Sequence, residues 1–188
     1  EIIKDFLHFI KKEKKYSNHT FRSYKYDLFE FSNFLNGYDK SLSFIEIDRT
    51  AIQFFIQKLS KNNVADKTLQ RKVSSIKSLY RYLTEYAMVD YNVSELIAIP
   101  KSSKYLPYIL SKNEIEKLMR LPDLSTFSGI RDRSILEIFY STGVRISELI
   151  NIEIQNIQLN KRLIKVLGKG KKERYVILGK DALNSLDD

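Results

Sequence analysis

The sequence has no cysteine and only two histidines, His8 and His19. The first absence removes disulfides and thiolate metal sites, and with so little imidazole no metal site or histidine-based hydrolase is expected. The apolar runs fall well short of the ~20 residues needed to span a bilayer, and no charged-then-apolar leader opens the chain. A cytosolic protein with no membrane partner is therefore expected. The first residue is Glu1 rather than methionine, as in an excised fragment. Acidic residues are also short, 23 against 32 Lys and Arg, for a formal charge of +9.

What is present builds cores. With 43% hydrophobic residues in 188, the chain can fill one large or two small domains. The basic excess occurs in both halves, so either half could meet a polyanion. Nucleic acid is the first candidate, because Lys and Arg gain affinity by releasing counterions condensed on phosphates; an anionic membrane surface is the second.

The first half reads as helices. Ile3, Phe6, Leu7 and Ile10 have helical spacing within 2–14, and Ser17 and Asn18 offer caps for a second helix with Phe21, Tyr24, Leu28, Phe31 and Leu35 on one face and Gly37 at its end. A third helix is expected over 48–60 and a fourth from Asp66, as N-cap, to about Tyr86. In that fourth helix Leu69, Val73, Ile76, Tyr80 and Leu83 form an inward stripe. Lys67, Arg71, Ser74, Ser78 and Arg81 lie about 200° round from it, a basic and hydroxyl face suited to phosphate or simply to solvent. On that assignment Arg71 and Arg81 should affect affinity and not folding.

Residues 97–107 (IAIPKSSKYLP) hold two of the three prolines without periodicity and read as a linker. The expected domains are thus 1–97, a linker at 98–107, and 108–188. Ser111 and Glu114 form a capping box for a helix through Met119, and a longer helix is expected over 129–140. Residues 163–167 and 173–178 are short β-type runs around the basic turn 168–172, a hairpin. The second half is α+β.

Two segments carry chemistry. In the first, Thr142 and Gly143 break a helix and Arg145 opens the next with Glu148 three residues on. This can be an ordinary i,i+3 ion pair, or an arginine held by a carboxylate so that its planar fork meets a phosphate. In the second, a glycine-flanked Lys169 can project from the hairpin tip while Lys171, Lys172 and Arg174 neutralise a phosphate backbone, or the whole can be a charged turn. GKGKK is not a Walker A loop, since no Ser or Thr follows and a strand comes next.

In this order and spacing the segments resemble the tyrosine recombinase family. TGVRISEL (142–149) is similar to its first arginine box and VLGKGKKERYVIL (166–178) to its β-hairpin lysine box. Ser17 and Thr20 through Tyr24, Asp27 and Leu28, the helix RKVSSIKSLYRYL (71–83), and LPYILSKNEIEKLM (106–119) resemble Xer-type recombinases. The resemblance implies a mainly α protein: an N-terminal four-helix SAM-like core-binding bundle, then the first part of an α+β catalytic domain with a β-hairpin. It implies attack by a tyrosine to give a 3′-phosphotyrosyl link, without metal or nucleotide cofactor. Arg145 matches the phosphate-binding arginine, Glu148 its supporting acid, and Lys169 the lysine that protonates the leaving 5′-oxygen. The implied DNA contacts are Thr20, Arg22, Lys25, Lys67, Arg71, Lys72, Ser74, Lys77, Arg81, Lys171, Lys172 and Arg174. The implied partners are a short double-stranded recombination site and a homo- or hetero-tetramer across two such sites, each protomer a C-shaped clamp.

The family's His-x-x-Arg box and nucleophilic tyrosine follow the hairpin. None of the 12 tyrosines occupies the nucleophile's place, and Tyr175, in the second hairpin strand, reads as a packing residue. The 188 residues are expected to bind DNA without cutting it. They read either as a fragment of a complete recombinase or as a naturally truncated, non-catalytic DNA-binding relative.

Overall fold

In a computed structural model the chain is described at residues 1–40, 42–99, 106–168, 170 and 172–187. It divides into two compact units, Glu1–Leu106 and Pro107–Asp188. Among the described residues no helix is long and apolar enough to cross a membrane.

The first unit is a bundle of α1 (Ile2–Lys12), α2 (Asn18–Tyr38), α3 (Arg49–Lys61) and α4 (Asp66–Glu85). Ser17 caps α2 by accepting from the Thr20 N–H at 3.2 Å, and Asp48 caps α3 through the Ala51 N–H at 3.0 Å. The apolar stripes meet in one core: Phe6 and Ile10, Leu28, Phe31 and Leu35, Ile52 and Phe55, and Leu69, Val73, Ile76, Tyr80 and Leu83. The expected inward stripe of α4 is therefore inward. The Tyr80 hydroxyl, enclosed with its ring, donates to the Phe44 carbonyl at 2.8 Å, so no polar atom is stranded there.

Two helix ends differ from expectation. Gly37 does not end α2: the helix continues to Tyr38, whose ring stacks on Phe34 and touches Phe54, enough to offset the ~1 kcal/mol cost of a helical glycine. Asp66 is the first helical residue of α4 and not its cap. Ala65 holds the cap position without a side-chain bond, and the Asp66 carboxylate instead sits in the first turn, where it favours the helix dipole.

The second unit comprises α5 (Lys112–Met119), α6 (Phe127–Thr142), α7 (Ile146–Leu149), β1 (Ile157–Gln158), β2 (Leu163–Leu167), β3 (Glu173–Ile177) and α8 (Lys180–Asp187). The capping box of Ser111 and Glu114 starts α5, with Thr126 capping α6. The sheet is antiparallel in the order β1-β2-β3, with Ile164 opposite Val176 and Val166 opposite Arg174. Ile164, Val166 and Val176 pack inward on Ile138 of α6 and Ala182 of α8. Ser141 near the end of α6 accepts from the Gly179 N–H at 2.5 Å, tying the helix to the chain leaving β3. Neither β1 nor α8 is foreshadowed by a strong sequence signal. Tyr175 is 56% exposed on the outer face of β3, opposite Lys165, so it is not the packing residue expected: the strand alternation that buries Val176 turns Tyr175 outward.

Candidate nucleic-acid interface

In the second unit the site begins where α6 ends. Gly143 caps that helix with φ +60°, a left-handed conformation that a side chain disfavours, and redirects the chain within one residue. Val144 is buried beneath the turn, and Arg145 follows in an extended conformation as the residue before α7. Anchored below and redirected above, its side chain emerges into solvent, 70% exposed.

Glu148, one turn on, is almost wholly enclosed, with its side chain 3% exposed. It accepts four hydrogen bonds. Oε2 takes the Arg145 backbone N–H at 2.9 Å and Oε1 takes Arg145 Nη1 at 3.0 Å. The other two come from Arg174, whose Nη1 reaches Oε1 at 2.8 Å and whose Nη2 reaches Oε2 at 2.9 Å. The Arg174 hydrogen bonds, followed by the Arg145 N–H, hold the Glu148 carboxyl down at about 2, so it is ionised at neutral pH. One carboxylate between two guanidiniums leaves a net positive charge. The rest of the Arg145 fork faces outward, which is the geometry for a bidentate phosphate contact.

The expectation for Arg174 is thereby corrected. It does not simply join Lys172 in neutralising a backbone: it lies on the inward face of β3, across from Val166, and its guanidinium is committed to a buried carboxylate. The signal was present in the sequence, since Val176 and Leu178 point inward and period-2 alternation places Arg174 with them. Lys172 is exposed, and its carbonyl accepts the Gly168 N–H at 2.8 Å to close the hairpin. Lys169 and Lys171 lie outside the described residues.

In the first unit the basic and hydroxyl residues gather on the seam between α2 and α4. Tyr24 reaches Ser78 with a hydrogen bond and feels the Arg81 charge, while Arg71 binds Asp27 and the Ser23 carbonyl. Thr20 precedes Tyr24 by one turn on α2 and bonds Ser17 Oγ at 2.9 Å; Arg22 and Lys25 are exposed on the same helix. Lys67 and Arg81 are exposed on α4, and Ser74 is half-buried with its hydroxyl on the Gln70 carbonyl.

Three α4 residues differ from expectation. Lys72 is 3% exposed, its ammonium 2.6 Å from Glu30 and 3.4 Å from Asp27, so it is an interior cation and not a phosphate contact. The inward stripe is wider than its apolar members, and Lys72 lies within it. Arg71 is half-buried and ion-paired to the fully enclosed Asp27, so its role is not confined to affinity. Burial pushes the Asp27 carboxyl above its ordinary value, and the cations of Arg71 and Lys72 oppose that shift. Lys77 is turned to the end of the unit, donating to the carbonyls of Glu95 at 3.1 Å and Ile97 at 2.7 Å. No group of acidic, histidine or cysteine side chains suited to a metal occurs among the described residues.

Residues 3–86 match the family described as phage integrase, N-terminal SAM-like domain, and residues 109–188 match the phage integrase family. The tyrosine recombinase XerC of Natranaerobius thermophilus is 39% identical over 184 residues, a match covering 98% of this chain and 61% of that protein. The tyrosine recombinase XerD of Staphylococcus saprophyticus is 39% identical over 188 residues, covering 98% of this chain and 62% of that protein. A solved lambda integrase tetramer bound to a Holliday junction matches with a TM-score of 0.74 at 15% identity, over 99% of this chain and 54% of that one, a likeness of fold. The chain spans about 61% of the length of these curated relatives.

Proposed function

This chain belongs to the phage integrase family of tyrosine recombinases, and on that premise we propose that it supplies the DNA grip and the first half of the strand-transfer centre of a site-specific recombinase. The observation that carries this reading is Arg145, an exposed guanidinium pinned from below by the buried Glu148. An arginine fixed in that way pays little ordering entropy on meeting a phosphate, and its charge is already in place when the transition state forms.

In the proposed reaction a tyrosine hydroxyl, placed by the resemblance after the hairpin, gives up its proton to water as its oxygen attacks the scissile phosphorus. The P–O bond to the 5′-oxygen breaks, a 3′-phosphotyrosyl bond forms, and the 5′-oxygen leaves as a hydroxyl after protonation by Lys169. Arg145 binds the non-bridging oxygens, and no cofactor enters the balance. The α2–α4 seam, with Thr20, Arg22, Lys25, Lys67, Ser74 and Arg81, holds the flanking duplex, and Lys171 and Lys172 add charge at the hairpin. The working assembly is a homo- or hetero-tetramer on two sites.

The test has two stages. The 188-residue chain is used to select and footprint duplexes from fragmented genomic DNA. The complete gene product is then incubated with the recovered duplex carrying a nick near the protected centre, and denaturing electrophoresis reads a covalent protein–DNA adduct. Protection together with an adduct supports the reading. Protection without an adduct assigns the protein as a DNA-binding relative that does not cut, and no protection removes the reading.

A further inference from the structure

We propose that Arg174 is a positioning residue that locks strand β3 to the Arg145 segment through Glu148, so that the phosphate-binding arginine is held from the hairpin as well as from its own turn. This rests on the reading of the site as a strand-transfer centre. Three features carry it. Arg174 grips both oxygens of Glu148, at 2.8 and 2.9 Å, and these are the same oxygens that hold the side chain and backbone of Arg145. The bond joins residues 26 positions apart, so it fixes the hairpin against the turn after α6 where no local contact could.

The third feature is Gly168. A methyl group there would stand 3.2 Å from Arg174 Nη1, 3.3 Å from the Lys172 carbonyl oxygen and 3.5 Å from Glu148 Oε1, so a side chain would press on the Arg174 guanidinium and the hairpin backbone by a few tenths of an ångström. The first glycine of GKGKK thus makes room for the clamp. A guanidinium used only to neutralise DNA would not need a buried bidentate partner or a bare backbone beside it, because diffuse charge acts at a distance and tolerates loose geometry. Positioning does need both, since misplacing a reacting group by a fraction of its bond length lowers the rate steeply.

The experiment uses the complete gene product and the nicked duplex from the selection, in single turnover at saturating protein. R174A should slow adduct formation by at least about tenfold, the scale of losing a charge-assisted hydrogen bond at a reacting centre, with little change in Kd. Its salt slope should match the wild type, whereas loss of a phosphate contact lowers the slope by about 1. R174K keeps the charge but not the fork and should stay slow. G168A, with Arg174 intact, should also slow the step, and G168A combined with R174A should be no slower than R174A alone. A reduced salt slope in R174A, with binding restored in R174K, would overturn the proposal and make Arg174 a phosphate contact.

A second readout needs no DNA. The Glu148 carboxyl, followed by carbon NMR, should titrate at about 2 in the wild type and move up toward its ordinary value in R174A. An unmoved titration in R174A sinks the proposal even if no duplex is ever cut. An absent adduct with wild-type protein instead counts against the functional reading.

Discussion

At the scale of single residues, Glu148 makes a prediction that pH can read. Its folded carboxyl is held at about 2 against an ordinary value of 4.5, chiefly by Arg174. The sign follows from linkage: the unfolded state binds the proton more readily, so the stabilisation is full above the ordinary value and is lost as pH falls toward the folded one. The melting temperature of wild type should therefore exceed that of E148Q by most at about pH 6, and the gap should close toward about pH 2. A gap that stays constant with pH would mean that the carboxylate's charge contributes nothing. Glu114 is also held at about 2, by Tyr108 and Ser111, which is why the difference between the two proteins, and not the acid transition of one, is the informative quantity.

Lys169 belongs to the same scale. As the proposed acid it is needed only when the 5′-oxygen leaves, so in the complete gene product K169A should slow cleavage with binding nearly intact. A substrate with sulfur in place of that bridging oxygen needs little protonation and should restore much of the lost rate. Equally poor cutting of both substrates would assign Lys169 another role. Loss of Lys172, which is exposed, should cost mainly affinity.

At the scale of elements, α4 combines a core face with the face proposed to meet DNA, and its cations divide between the two. Lys72 neutralises the Asp27 and Glu30 carboxylates from inside the bundle. Removing one member of such a buried group strands the others, at a cost of about 3 kcal/mol. K72A should lower thermal stability by that order while the molecules that remain folded bind DNA normally. R81A should do the reverse, leaving the melting temperature in place and reducing the salt slope by about 1. A thermally silent K72A would show that the Asp27 pocket relaxes or hydrates. R71A should move both quantities, because Arg71 is half-buried on Asp27 and still lies on the seam with Ser78 and Arg81.

At the scale of the whole molecule, the proposal that both units grip one duplex predicts a strong dependence on salt. Several phosphate contacts give a log-log slope of several units, and an affinity indifferent to salt would remove the electrostatic argument. Hydroxyl-radical footprinting reads the contact directly: protected sugars on the recovered duplex support it, and an unprotected duplex rejects it.

The sequence by itself determined what depends on neighbours a few residues apart. The α4 stripe, the capping box at Ser111, the glycine turn before Arg145, the Arg145–Glu148 pair at i,i+3 and the hairpin all follow from periodicity, caps and turn chemistry. Only the tertiary structure decided what the inward cations meet. Periodicity turns Lys72 and Arg174 inward, but Lys72 meets Asp27 across 45 positions and Arg174 meets Glu148 across 26, and no local rule names those partners. The physical reason is that a charge pattern along a helix or strand records residue type and phase, whereas the fate of a cation depends on whether another element brings a buried carboxylate to it.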